Sequence, residues 1–350
     1  MSANLPRQTS AESLSPYQRA RVRFKRNRLG YWSLWIFAAM LLVSTVAELV
    51  SNDKPLVAHI NGKVLFPILS NPSEQALGGD FATPTDWKDP FISQLLDKPG
   101  NWAAMVVNSH SALSTDYYNK AAPPAPPSAA NWLGTDSKGR DMVARLLYGF
   151  RVSIWFALAL TLVGTSIGVI MGSIMGYFGG RIDLAMQRVV EIWGAVPELY
   201  LLIIFAAIFE PSLALLLVLL SLWSWLGLSD YVRAEFLRNR SLEYVKAARA
   251  LGLSNFQIIR RHVLPNSLTP VITFIPFRMS SAILALTSLD FLGLGVPASV
   301  PSLGELLLQG KANLDAWWII FPTFLLLTVT MLLLTFIGDA LRDAFDTRKS

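Results

Sequence analysis

The 350-residue chain has no cysteine, which excludes disulfides, thiol chemistry and cysteine-based metal sites. Its three histidines, His59, His110 and His262, stand far apart and make no metal-ligand spacing. Charge is scarce: Asp, Glu, Lys and Arg are 15% of the residues, against roughly a quarter in a soluble domain. No G-x-x-x-x-G-K-[ST] phosphate loop is present, since Gly62-Lys63 and Gly310-Lys311 lack the rest of the motif. A nucleotide-hydrolysing site of that kind is therefore not expected here. Neither a catalytic constellation nor a resident metal or cofactor is expected from the sequence. Gly164-Thr165-Ser166-Ile167-Gly168 fits the string G-x-S-x-G, but it lies in an apolar run with no strand-to-helix turn and no histidine partner.

What the chain does have is apolar length. Hydrophobic residues make up 53% of it, and the mean hydropathy is +0.42. Six runs are long enough to cross a bilayer: Leu29–Val50, Val152–Phe178, Val189–Phe209, Pro211–Ser229, Leu268–Leu289 and Ala316–Gly338. The first is too long for the apolar core of a signal peptide and lacks a small-residue ending, so it is expected to stay as a span. Six Lys and Arg between Arg19 and Arg28 precede it. The inner side is expected to hold seven Lys and Arg before the first span, two between the second and third, seven between Arg233 and Arg261, and three at the end. The two short outer loops hold only Lys311. This asymmetry puts both termini in the cytoplasm. The formal net charge of +6 then reports topology and not nucleic-acid binding.

The resulting division is a basic tail at 1–28, with residues 1–18 expected to be disordered, then a first span at 29–50. An external region follows at 51–150, then a five-helix core at 151–340 with an inner loop at 230–266, and a tail at 341–350. Within the external region, 51–127 is a small insert with strand-like pieces, closed by the stiff linker PPAPP, and Asn131–Ser153 is a glycine-rich turn followed by an amphipathic helix at the outer interface. In the second span Gly164, Gly168, Gly172 and Gly176 recur every fourth residue. Such a stripe lets another backbone come close in lipid.

Ser241–Asn266 is the most polar stretch of the core and reads as two short helices. Ser241 is a candidate cap for the first, with Glu243 in its first turn where the helix dipole favours negative charge. Gly252 can take the left-handed conformation that ends it. Ser254 and Gln257 form a capping box for the second, and Pro265 marks its exit. Ala247, Ala248 and Ala250 would let another body approach. A docking element, an ordinary basic loop and a DNA-binding helix-turn-helix are the alternatives, the last disfavoured by flanking spans.

This segment resembles the "EAA" loop of ABC-importer permeases through Ala247-Ala248, Gly252 and Leu264-Pro265. Lys246 and His262 depart from the Glu and Ile of that pattern. Three further stretches resemble the dipeptide/oligopeptide/nickel branch. They are Leu133-Gly134-Thr135-Asp136 with Gly139, Arg140, Asp141, Arg145, Gly149, Arg151 and Ser153; Tyr177, Gly179, Gly180, Asp183, Arg188 and Pro197; and Leu289 to Pro297 with Pro301, Gly304 and Leu307, where Asp290 departs. The GYWSLWIF start and the long insert are similar to the second permease subunit of importers for oligopeptides and microcin C. The resemblance implies an all-α polytopic membrane protein with six transmembrane helices, a type I (MetI-like) permease core and an external insert. It also implies docking of 241–266 on a cytoplasmic ATP-binding subunit, a heterodimer with a second permease subunit, a periplasmic substrate-binding protein and a bacterial inner-membrane location. A secondary transporter or channel, and a permease for nickel or another small solute, are the competing readings.

Two charges fall at mid-depth, Glu198 in the third span and Arg278 in the fifth. Both are expected to face the bundle interior, as a pair or as lining of the pathway. Asp290, near the outer end of its span, is a third candidate for the pathway, with a charge in water at a helix end as the plainer reading.

Overall fold

Apolar runs become helices because in hydrocarbon every backbone group must be paired within its own segment. The computed structural model describes residues 16–117 and 121–346. The expected disorder of the first fifteen residues, and the basic residues Arg348 and Lys349, lie outside the described residues. A basic helix, α1 (Pro16–Arg26), occupies part of the tail and rests on the last helix, where Arg23 donates to the Asp346 carbonyl at 2.8 Å. Asn27 then caps α2 (Arg28–Thr45) by accepting from Gly30 N at 3.1 Å, and a short α3 (Ala47–Val50) continues outward.

The insert follows as an antiparallel sheet ordered β2-β1-β3. It comprises β1 (Val57–Ile60), β2 (Lys63–Leu65) and, after α4 (Pro90–Leu96), β3 (Trp102–Ala104). The β1–β2 hairpin turns at Asn61-Gly62, both in the left-handed region as a two-residue hairpin requires. The insert has its own core of Ala58, Ile60, Leu77, Trp87, Ile92 and Leu95.

Asp141 caps α5 (Met142–Phe178), accepting from Ala144 N at 2.9 Å. The expected interfacial helix and second span are thus one uninterrupted helix, and the core begins at Met142 and not at 151. One face of its first turns is buried and polar as well as apolar: Met142, Ala144 and the charged Arg145 have no exposed surface. The expected third span is broken. α6 (Gly180–Gly194) and α7 (Glu198–Ile208) meet at 62°. Pro197 explains the break, since proline lacks the N–H and forces the residue before it out of helical geometry.

α8 (Leu213–Ser224) and α9 (Leu226–Asn239) form the fourth span, which runs ten residues past the expected end at Ser229. The polar residues Asp230 to Arg238 continue the helix instead of beginning a loop. After α10 (Glu243–Ala250) and α11 (Asn255–Ile258), a π-helical turn at Ile259–Val263 leads directly into α12 (Leu264–Phe291). Pro265 is therefore not an exit. It sits in the first turn of α12, where its missing N–H is tolerated, and the wider π turn before it gives its ring room. α13 (Leu303–Ala312) packs on α12 and α14, and α14 (Trp317–Phe345) closes the bundle. Among the described residues five helices are long and apolar enough to cross a membrane, six crossings when the bent α6–α7 pair is one.

The main core joins α5, α8, α12, α13 and α14 through Ile154, Leu160, Leu216, Ile283, Leu286, Leu306, Ile319 and Leu334. The glycine stripe of α5 faces α8 and α9. A methyl group at Gly172 would stand 2.5 Å from the Ser229 carbonyl oxygen, and one at Gly176 would stand 2.5 Å from that of Arg233. Gly168 meets Trp225 and Leu228, and Gly164 meets Ser224 and Arg278.

Candidate coupling element and translocation cavity

The inner element is built from the ends of α5 and α9. Leu242 leaves α9 in an extended conformation and starts α10 without a side-chain cap. Ser241 is not that cap; its hydroxyl donates back to the Arg238 carbonyl at 2.8 Å, because it lies one residue too early to reach α10's free N–H groups. Glu243 pairs with Lys246 at 2.9 Å, and both are exposed. The alanines divide by helical period: Ala248 is buried with Val245, while Ala247 and Ala250 face outward. Gly252 ends α10 at φ +81°. Ser254 and Gln257 form the reciprocal capping box, at 3.3 Å from Gln257 N to Ser254 Oγ and 3.0 Å from Ser254 N to Gln257 Oε1.

Val245, Ala248, Ile258 and Val263 pack on Val232, Phe236, Tyr177 and Val271, with Leu264 at the edge and Pro265 exposed. Both sides of the elbow are bolted to the bundle. Tyr177 at the foot of α5 donates to Asn255 Oδ1 at 2.9 Å, and Arg240 donates to the Tyr177 carbonyl at 3.1 Å. Asn239 donates to Ser267 at 2.9 Å, and Arg233 holds Asp183 through two bonds at 2.5 and 2.7 Å. Among the charged and polar residues left uncovered stand two large apolar side chains: Leu251 is 81% and Phe256 69% exposed, at the tip between α10 and α11. Sequence reading passed over Leu251 and Phe256, because two apolar residues in a polar loop give no periodic signal.

Glu198 and Arg278 line one cavity of about 280 Å³, together with Leu160, Thr161, Trp223 and Ser224. They do not form an ion pair with each other. Arg278 donates to the Ser224 carbonyl at 2.8 Å. Glu198 occupies the first turn of α7, created by the break at Pro197, where free N–H groups favour a carboxylate.

Asp290 is not a charge in water, and it does not line the cavity that Glu198 and Arg278 share. It is 8% exposed, and its carboxylate accepts from Val296 N at 2.8 Å and Ser302 Oγ at 2.5 Å. It ties the Gly293–Pro297 turn back onto α12, and Gly295 and Gly304 leave room for it.

At the end of the bundle that carries the insert, the Leu133–Arg145 motif closes into a buried charge cluster. Asp136 and Arg140 pair at 2.6 Å, and Arg140 and Lys138 each reach Glu305 at 3.0 Å. Arg145 also pairs with Glu305. Asp141 accepts from Asn108 at 2.8 Å and Asn131 at 3.1 Å, which fixes the insert to α5. Burial would raise the Glu305 carboxyl, but Arg145, Lys138 and Arg140 outweigh it and hold its pKa at about 2.

These features agree with what the chain is similar to. The family described as "binding-protein-dependent transport system inner membrane component" matches residues 168–350, and the "N-terminal TM domain of oligopeptide transport permease C" matches residues 15–63. The chain is 47% identical over 338 residues to the inner membrane ABC transporter permease protein YejE of Escherichia coli K12, covering 96% of this chain and 99% of that one. It is 44% identical over 350 residues to the peptidoglycan transport system permease protein YejE of Agrobacterium fabrum, covering 93% and 92%. With the dipeptide transport system permease protein DppC of Bacillus subtilis, identity is 37% over 226 residues, covering 64% and 70%. A multi-pass helical bundle with a bolted inner elbow, matched over half its length by the family's defining region, belongs to the inner-membrane permeases of binding-protein-dependent ABC transport systems.

Proposed function

We propose that this chain is one half of the translocation pathway of an ATP-driven importer of peptides, oligopeptides and microcin C-like peptides among them. It carries no catalysis of its own. A separate cytoplasmic ATP-binding subunit grips the α10–α11 elbow, a second permease subunit completes the pathway, and a periplasmic substrate-binding protein delivers the peptide to the outer face. Both termini then lie in the cytoplasm, as the distribution of Lys and Arg favours. The observation that carries this reading is the elbow itself. Leu251 and Phe256 present apolar surface on an element whose interior is tied to α5, α9 and α12, so a push on the tip moves three membrane helices together. The names of the relatives support peptides as the substrate class. Exposed α7 residues such as Leu199, Tyr200, Ile203 and Ile208 offer a face for the second permease subunit.

Co-purification tests the coupling. Phe256→Asp removes an exposed ring without disturbing the core and is expected to lower ATPase-subunit recovery at least tenfold, with uptake falling in step. Gly252→Asp, which strains a left-handed turn, should act in the same direction. Full recovery of the ATPase subunit with both variants would refute docking at this elbow.

A further inference from the structure

The cavity that Glu198 and Arg278 share holds more hydrogen-bond donors than its own walls satisfy. Arg278 spends one guanidinium N–H on the Ser224 carbonyl, while its Nε is buried without an acceptor. Thr161 Oγ1 and Trp223 Nε1 are also buried without a partner, and all three residues line the same space. Guanidinium and indole N–H groups can only donate. Leaving such donors unpaired forfeits their hydration with nothing in return, so the site is completed by an acceptor-rich, anionic group. The opposite requirement comes from Glu198, an acceptor without an ionic partner among the described residues. Charges of opposite sign share one intramembrane space and yet do not neutralise each other, which fits a visiting group that carries both an anion and N–H donors. The size narrows it further. At about 280 Å³ the cavity falls below the ~300–1,000 Å³ that encloses a drug-sized ligand, so it takes the end of a chain and not its length.

We propose that this cavity is a subsite for the C-terminal residue of a peptide in transit, its free carboxylate received by Arg278, Thr161 and Trp223 and its N–H groups facing Glu198. The inference rests on the peptide-importer reading above and adds a recognition step inside the permease.

The test uses the complete importer in proteoliposomes, with its ATP-binding subunits and binding protein, and compares uptake of trialanine with that of trialanine amide. The two probes share an ammonium and differ in the carboxylate. Because the binding protein is the same throughout, its own preference cancels when the acid-to-amide ratio of a variant is divided by that of the unmodified importer. Arg278→Gln is expected to lower this ratio about tenfold, the scale of one charge-assisted hydrogen bond. Should that variant fail to assemble, Thr161→Val, which keeps the shape and removes one donor, decides the matter with a drop of about threefold. A ratio unchanged in the variant that assembles, while the unmodified importer moves both probes, overturns the subsite and leaves the importer reading standing. If the unmodified importer moves neither probe although its ATP-binding subunit is bound, the peptide reading falls and the subsite with it.

Discussion

Arg145 has none of its side chain exposed, and its charge is answered by Glu305 from 160 positions away in sequence. Removing one partner of such a pair costs more than the pair is worth, because the remaining charge stays buried. Glu305→Gln is expected to destabilise the outer face by about 3–5 kcal/mol, read as a lower melting temperature of the detergent-purified protein. The pH dependence has a definite sign. The Glu305 carboxyl lies at about 2 in the folded protein against an ordinary 4.5. Its contribution is therefore complete above about 4.5 and is lost as the pH falls from there towards 2. Glu305→Gln should lack that acid limb. Half of this cluster was legible: Asp136, Arg140 and Arg145 stand within ten residues in a recognisable motif. Glu305 was not, because nothing local distinguishes an acidic residue in a helix's first turn from an ordinary favourable dipole partner. Asp290 misled for the same reason. Its depth is set by Ser302 and by two glycines that only the fold brings beside it.

Among the elements, α5 and α9 meet through a glycine stripe, and two glycines make opposite predictions. Gly172→Ala would push a methyl onto the Ser229 backbone and is expected to cost the folded yield. Gly227→Ala meets nothing within 4 Å and sits in a helix, so it should be neutral or stabilising by up to about 1 kcal/mol. Fluorescence-detected size-exclusion of the two variants separates them, and equal losses would deny the stripe its packing role. The stripe could be read directly because its period matches a helical turn. Helix ends resisted reading. Hydropathy marks where an apolar run ends, not where the helix stops, so α9 and α12 run past the expected boundaries. Pro197 was visible, but in a run long enough to cross a bilayer its effect on geometry was outweighed by the length of the run.

For the molecule as a whole, the sheet-bearing part of the insert, residues 57–103, begins and ends at neighbouring backbone positions. Leu56 N donates to the Ala104 carbonyl at 2.9 Å, so the chain leaves and returns through neighbouring backbone positions. Its core of Ile60, Trp87 and Ile92 is separate from that of the bundle. Replacing residues 57–103 with a two-glycine linker is therefore expected to preserve membrane insertion and recovery of the ATP-binding subunit, measured by membrane fractionation and co-purification. Loss of insertion would mean that the bundle depends on the sheet. The inner and outer faces are joined differently. α5 runs 37 residues without a break, a length of about 55 Å, from the Asp141 clamp to Tyr177. On the proposed function it is a drive shaft: a nudge where cargo is handed over would swing the foot that holds the engine's grip, with no slack to absorb it. Two spectroscopic probes fixed near its ends should keep a constant separation through every stroke of the cycle, whatever else slides around them.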